Sequence, residues 1–142
     1  MSGGAYLEDL EIGQTAELRR AVTEADVAAF AAVTGDSNPV HLDEAYAAAT
    51  PFKGRIAHGM LSAGYISAVL GTELPGPGAI YVSQSLNFRR PVRIGDEVTA
   101  EVKVTAIDHA RGRVTFATAC VVGGKTVVEG EAVVIVPRRP AA

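Results

Sequence analysis

Several residue types and patterns are missing from this chain, and each absence excludes a class of proteins. Its 142 residues include no Trp and a single Cys, so an internal disulfide is impossible. No apolar run reaches the roughly 18–20 residues that a membrane-spanning helix needs. Residues 1–5 lack the basic region and apolar stretch that open a signal peptide. We therefore expect a cytoplasmic protein without a membrane partner, in which Cys120 is a small buried hydrophobe.

Charge and composition also argue against two kinds of binding protein. The net charge is −3 and no long basic block occurs, so a nucleic-acid partner is not expected. Aromatic residues make up only 6% of the chain, which is too few for base-stacking platforms. No Cys and His cluster has zinc-ligand spacing, and no glycine-rich phosphate loop of the common types is present. We expect no metal site.

The hydrophobic pattern predicts one α+β domain over residues 1–142. Alternation of apolar and polar residues predicts strands at residues 14–22, 81–88, 97–107, 113–122 and 126–136, with a hairpin at Gly123-Gly124. Thr23 and Asp26 form a capping-box signal for a helix that should stop by Gly35. Residues 59–70 carry no charge and predict a buried helix ending at Gly71. An antiparallel sheet of about five strands wrapped around this helix is the hot-dog fold.

Two short segments carry the residues with catalytic chemistry. In residues 36–43, Asp36 and His41 stand five positions apart around Asn38-Pro39, in a stretch that we expect to be irregular. Alone, Asp36 is typical of a turn or cap, and His41 of a hydrogen-bonded loop histidine. Together they form an acid/base pair able to activate water. Gly59 opens the uncharged helix, where its backbone N–H can stabilise an oxyanion, and the helix should keep the site dry.

The residues beside these candidates are given supporting roles. Asp43 is expected to cap a short helix that continues through Ala49. His58 is expected to be structural and to bond the backbone near the start of the uncharged helix. Pro39 and Asn38 are expected to shape the turn, and Asn38 is also a candidate for substrate contact.

The chain closely resembles the MaoC-like hot-dog-fold family, in particular its short bacterial (R)-specific enoyl-CoA hydratases. The resemblance rests on Asp36-Ser37-Asn38-Pro39-Val40-His41-Leu42-Asp43, on His58-Gly59-Met60-Leu61 and on the segments 81–88, 91–92 and 95–98. It covers about residues 12–136, and no motif position departs from the family pattern.

The resemblance implies the reversible addition of water to a trans-2-enoyl-CoA, which gives an (R)-3-hydroxyacyl-CoA. It implies that Asp36 and His41 are the catalytic pair and that the N–H of Gly59 is the oxyanion donor. It also implies that Ser67 lies near the pocket and that the protein is a homodimer joined edge to edge. No cofactor is expected, because the thioester itself activates the double bond. Which member of the pair is the acid and which the base stays open.

Further substrate contacts are expected at the pocket wall and at the surface. Met60 is a candidate for acyl contact, and chain-length preference depends on pocket depth set by residues such as Met60, Leu61, Tyr65 and Leu70. Arg89 is a candidate for the CoA phosphates, as are Lys53, Arg55, Arg90 and Arg93. These cations are equally typical of an ordinary charged surface.

Other functions remain open at this point. The chain could be a dehydratase for acyl-carrier-protein thioesters, or for branched or dicarboxylic acyl-CoA. It could also be a non-catalytic acyl-CoA-binding module, or a thioesterase on the same fold. The intact acid/base pair disfavours the binding module, and the Asn-Pro motif disfavours the thioesterase.

Overall fold

The secondary structure follows the predicted order of helices and strands. The computed structural model describes residues 3–141, in which a 3₁₀ turn at Leu7–Asp9 precedes the first strand. The helices are α1 (Glu24–Thr34), α2 (Pro39–Leu42), α3 (Glu44–Ala48) and α4 (Gly59–Thr72). The strands are β1 (Thr15–Ala21), β2 (Ile80–Gln84), β3 (Asn87–Phe88), β4 (Glu97–Asp108), β5 (Arg113–Val122) and β6 (Lys125–Ile135).

All six strands of the described chain belong to one antiparallel sheet. Its order is β1-β4-β5-β6-β2, and the short β3 also pairs with β6. The predicted hairpin between β5 and β6 is confirmed, since Gly123 and Gly124 both take positive φ angles, 56° and 78°. Such angles at both central residues suit the tight turn of a hairpin and favour glycine.

The one predicted strand over residues 81–88 is instead two strands, which brings the count to six rather than five. Between them the chain bulges at Ser85, whose backbone N–H and Oγ both bond the backbone of Glu131 on β6. The carbonyl oxygen of Ser85 would lie 1.8 Å from a Cβ on Gly130. Only glycine allows the two backbones to approach so closely at this point.

The uncharged helix α4 packs across the sheet against β4, β1 and β5, as the pattern predicted. Its buried residues are Ser62, Ala63, Tyr65, Ile66, Val69 and Leu70. The helix continues past Gly71 to Thr72, so the prediction that Gly71 ends it is wrong. The expectation of a fully wrapped helix is also wrong, because a stripe of α4 is exposed at Met60, Gly64, Ser67 and Gly71. None of the helices within residues 3–141 is long and apolar enough to cross a membrane.

The helix that leads to the site begins and ends as expected. Thr23 caps α1 through a complete capping box: its Oγ1 accepts from the Asp26 N–H, and the Asp26 carboxylate accepts from the Thr23 N–H. At the other end Gly35 adopts a left-handed φ of 80° and donates its N–H to Ala31. This C-cap turns the chain sharply, so that residue 36 begins a new direction.

Candidate active site

Asp36 is the first residue after the C-cap of α1. Its N–H donates to Thr34 Oγ1 at 3.1 Å, which anchors the start of the loop. Its carboxylate accepts a long hydrogen bond of 3.4 Å from the N–H of Asn38 and is otherwise exposed. The expectation of a dry site is therefore not met at this residue, because in the single chain its carboxylate is open to solvent.

His41 lies on α2, a helical turn that replaces the irregular loop expected here. Asn38 caps this turn by accepting the Val40 N–H at 3.1 Å, and Pro39 is its first residue. Proline suits that position because its fixed φ is already helical and its missing N–H would have no partner. The Asn-Pro pair therefore shapes the turn that carries His41, and the Asn38 side chain accepts from the Val40 N–H while its backbone N–H faces the Asp36 carboxylate.

The tautomer of His41 follows from its hydrogen bond. The side chain is buried, and Nδ1 lies 2.7 Å from the carbonyl oxygen of Ile56. A carbonyl oxygen only accepts, so Nδ1 carries the proton and donates it. In the neutral ring Nε2 then holds the lone pair. His41 is thus oriented to take a proton at Nε2.

His58 contacts both members of the pair. Its Nε2 lies 2.9 Å from the backbone carbonyl oxygen of Asp36, and its ring stacks on His41 with centroids 3.8 Å apart and planes at 29°. The prediction that His58 bonds the backbone is confirmed, but the partner is Asp36 in the loop after α1 rather than the start of α4. Sequence reasoning missed the stacking, because it depends on where two loops meet.

Asp36, His41 and His58 lie close enough together to be considered as metal ligands. Asp36, His41 and His58 each offer a ligand atom, and these atoms lie within 4.8 Å of one another. A metal must sit in the plane of each imidazole at about 2.0–2.1 Å from nitrogen. The rings of His41 and His58 stack with centroids 3.8 Å apart and planes at 29°, an arrangement unlike two imidazoles that converge edge-on on one ion. The geometry therefore favours an acid/base centre over a metal centre.

Gly59 opens α4 directly after His58. The described residues provide no hydrogen-bond acceptor for its N–H, as is usual at a helix N-terminus. A Cβ on Gly59 would lie 2.6 Å from Cε1 of Phe88, so the aromatic ring rests on the glycine backbone. Gly59 also lines a cavity of about 300 Å³ that has Phe52, Arg89 and Arg90 at its wall.

The remaining substrate candidates lie on two different surfaces. Met60 and Ser67 line an apolar groove of about 500 Å³ between α4 and β2, together with Phe30 and Tyr81. Leu61 is half-buried against the core, whereas Tyr65 and Leu70 are buried in it. Arg89 lies at the cavity beside Gly59 and pairs with Glu129 at 2.6 Å.

Two further basic residues that are candidates for the CoA phosphates also have partners within the chain. Arg55 is 14% exposed, donates from Nε to the carbonyl oxygen of His41 at 2.7 Å and pairs with Glu24 at 2.8 Å. Arg93 reaches the carbonyl of Gly54 at 3.4 Å. Arg55 is therefore a component of the site's framework rather than a surface cation.

A larger groove than these two cavities lies elsewhere, on the outer face of the sheet. Its volume is about 760 Å³, and four carboxylates line it: Glu17, Glu101, Glu129 and Glu131. An anionic CoA thioester would be repelled there. Of the smaller cavities beside α4, one is lined by Arg89 and Arg90 and the other by no charged residue.

With this geometry in place, comparison with known proteins identifies the class. A family model described as a MaoC like domain matches residues 9–129, and the chain belongs to this family. It is 60% identical over 134 residues to an (R)-specific enoyl-CoA hydratase of Rhodospirillum rubrum, covering 94% of this chain and 93% of that protein.

Two further relatives agree in sequence and in structure. A 3-hydroxybutyryl-CoA dehydratase of Methylorubrum extorquens is 55% identical over 134 residues, covering 94% of this chain and 85% of that protein. The unliganded R-hydratase of Pseudomonas aeruginosa has a TM-score of 0.91 at 50% identity, covering 96% of this chain and 88% of that chain. The predicted hot-dog fold is confirmed by this match.

Proposed function

We propose that the chain is an (R)-specific enoyl-CoA hydratase, which adds water reversibly to a trans-2-enoyl-CoA. The observation that carries the proposal is the convergence of the Asp36 carboxylate with His41, whose ring is held with its Nε2 lone pair available. The names of the relatives are consistent with it, since hydration and dehydration are the two directions of one reaction.

The reaction needs a proton acceptor and a proton donor on the same face of the substrate. A water molecule held between Asp36 and His41 loses a proton to one of them as its oxygen bonds C3. The pair returns a proton to C2, so that the overall change is the addition of H and OH across the double bond. Such positioned groups typically contribute about 10²–10⁴ in rate.

The thioester oxygen gains negative charge as water attacks. In this proposal the Gly59 N–H, at the start of the 14-residue helix α4, stabilises that charge, and the helix dipole adds to it. The cavity beside Gly59 would hold the thioester, with Arg89 and Arg90 at its wall for the CoA phosphates. The apolar groove at Met60 and Ser67 would take acyl carbons.

We further propose that catalysis uses neither a metal nor an organic cofactor, and that the protein acts in the cytoplasm. The thioester conjugation already activates the double bond, and the stacked imidazoles are poorly arranged for a metal. The sole thiol, at Cys120, is fully buried, and burial raises its pKa to about 12, so it is not available as a nucleophile.

We also propose a homodimer that forms through β2. This edge strand exposes Ile80, Tyr81 and Val82, and the uncovered stripe of α4 lies beside it. An exposed apolar edge strand favours pairing with another chain. Size-exclusion chromatography with light scattering should give a dimer mass for the native protein and for Ala21→Glu on the opposite edge, and a monomer mass for Val82→Glu. A dimeric Val82→Glu variant would contradict this interface.

The enzymatic proposal is tested by following the loss of absorbance of crotonyl-CoA at the enoyl-thioester band. Asp36→Asn and His41→Ala should each abolish turnover while circular dichroism shows a native fold. Full activity in both variants would eliminate the mechanism. Release of free thiol would indicate a thioesterase, and thioester binding without turnover a binding module. A comparison of turnover on carrier-protein and CoA substrates separates an enzyme for acyl-carrier-protein thioesters from one for acyl-CoA.

A further inference from the structure

His58 is buried between the two catalytic residues and contacts both. Only 2% of its surface is exposed. It donates a hydrogen bond to the Asp36 backbone, and its ring lies on the face of His41. Phe30 of α1 covers it further, with ring centroids 4.7 Å apart. Any movement of this ring would therefore be transmitted to the acid/base pair.

The hydrogen bond fixes the loop that carries the carboxylate. The acceptor is a carbonyl oxygen, so Nε2 of His58 must carry the proton. Asp36 is exposed and its carboxylate has only a long bond to the Asn38 N–H. Its backbone is thus held by the Thr34 side chain on one side and by His58 on the other.

The stacking fixes the plane of the catalytic imidazole. The Ile56 carbonyl holds Nδ1 of His41, but one hydrogen bond still allows the ring to tilt about it. A flat neighbour 3.8 Å away restricts that tilt. The Nε2 lone pair lies in the ring plane, so its direction toward the water is set by both contacts.

A purely structural role would not favour an imidazole here. Nδ1 of His58 is buried and has no hydrogen-bond partner among the described residues. An unpaired buried polar atom costs about 1–3 kcal/mol, which an apolar side chain of similar size would avoid. Unlike Leu, the imidazole supplies a flat face for His41 and an N–H that reaches the Asp36 carbonyl.

We propose that His58 is a positioning residue for the hydration, holding Asp36 through its Nε2–H and His41 through its ring face. This inference rests on the proposed function. It predicts that both properties are needed, and that their loss affects turnover rather than substrate binding, because His58 itself does not contact the reacting atoms.

Two substitutions separate these properties. His58→Phe keeps a flat ring and loses the donor, whereas His58→Gln keeps an N–H donor and loses the flat ring. His109→Gln, at an exposed turn, is the matched control. We expect kcat for crotonyl-CoA to fall by at least about tenfold in both variants, with KM within about threefold, since a misplacement of about 1 Å can cost about 100-fold. A smaller fall in kcat in either folded variant overturns the proposal.

A measurement on the unmodified protein decides the question even if the variants do not fold. Long-range ¹H–¹⁵N NMR of the imidazoles should show the Nε2–H tautomer for His58 and the Nδ1–H tautomer for His41. The opposite tautomer at either residue overturns the proposal. Failure of the proposed function would be recognised separately, because the unmodified protein would then not hydrate crotonyl-CoA.

Discussion

The guanidinium of Arg55 joins the backbone of His41 to helix α1. Its Nε donates to the His41 carbonyl oxygen at 2.7 Å, and its Nη1 lies 2.8 Å from the Glu24 carboxylate. The neighbouring Ile56 carbonyl accepts from the His41 ring. Two consecutive residues of one loop therefore hold the main chain and the side chain of the same histidine.

Replacing Arg55 should lower both stability and turnover. Arg55→Met removes the hydrogen bond to the His41 carbonyl, and a hydrogen bond from a charged group contributes about 1.5–3 kcal/mol, whereas the pair with the exposed Glu24 adds little. We expect a loss of stability in that range by urea denaturation, and a roughly tenfold lower kcat because His41 is less well placed.

The control for Arg55 is an arginine whose ion pair is exposed. Arg19 pairs with Glu17 at 3.2 Å, and both side chains are more than half exposed, so Arg19→Met should change stability by less than about 1 kcal/mol. Native-like kcat and stability in Arg55→Met would show that its contacts do not support His41.

The contact between Gly59 and Phe88 predicts that the effect of Gly59→Ala on stability changes sign when the Phe88 ring is removed. Gly59→Ala places a methyl group 2.6 Å from Cε1 of Phe88, and overpacking of this kind costs about 1–3 kcal/mol. Once Phe88→Ala removes the ring, the same change should be neutral or stabilising, since Ala is the better helix former. Urea denaturation of the four proteins measures the coupling. Equal effects of Gly59→Ala in both backgrounds would contradict it.

We expect a larger loss of stability at Gly130, because the atoms that an added Cβ would meet there belong to the main chain. A Cβ there would meet the Ser85 oxygen at 1.8 Å and the Ser85 carbonyl carbon at 2.6 Å. Neither can move without breaking the bulge that joins β2 to β3. We expect Gly130→Ala to lower the free energy of unfolding by about 3 kcal/mol or more.

The matched control for Gly130 is Gly71, an exposed helical glycine at which an added Cβ would meet no atom within 4 Å. Gly71→Ala should raise stability by roughly 0.5–1 kcal/mol. A Gly130→Ala variant within about 1 kcal/mol of the native protein would show that the sheet relaxes at this bulge.

Features set by neighbouring residues could be predicted from the sequence. The Thr23–Asp26 capping box, the Gly35 C-cap and the Gly123-Gly124 hairpin each depend on a few adjacent residues, and all three are confirmed. The family and fold could also be predicted, because the motif around Asp36 and His41 is long and specific. The catalytic and substrate-binding roles given to individual residues stay predictions.

Features set by contacts between distant segments could not be predicted. The strand break at Ser85 has no local glycine or proline, and the glycine that leaves room for it, Gly130, lies across the sheet. The sequence suggests Arg55 as a CoA candidate, because its charge can be read from the sequence and its packing against His41 cannot. The same holds for the ring of His58, whose partner is 17 residues away.

The capping box of α1 gives a prediction about pH. The pKa of Asp26 is lowered from its ordinary 3.8, first by the hydrogen bond from the Thr23 backbone N–H and then by the Thr23 side chain. A carboxyl group whose pKa is lower in the folded state stabilises that state above its unfolded pKa. The stabilisation is lost as the pH falls through the folded pKa.

Asp26→Asn should therefore be less stable than the native protein near neutral pH, by about 0.3–1 kcal/mol, as is typical of a charge near a helix N-terminus. The difference should shrink as the pH falls from the unfolded pKa of about 3.8 toward the lower pKa of the folded state, where the native Asp26 is protonated and loses the same interaction. Thermal unfolding followed by circular dichroism between about pH 7 and 2.5 measures it, with Glu97→Gln on the exposed face of β4 as a control for net charge. A difference that stays constant over the whole range would mean that the charge of Asp26 does not stabilise the cap.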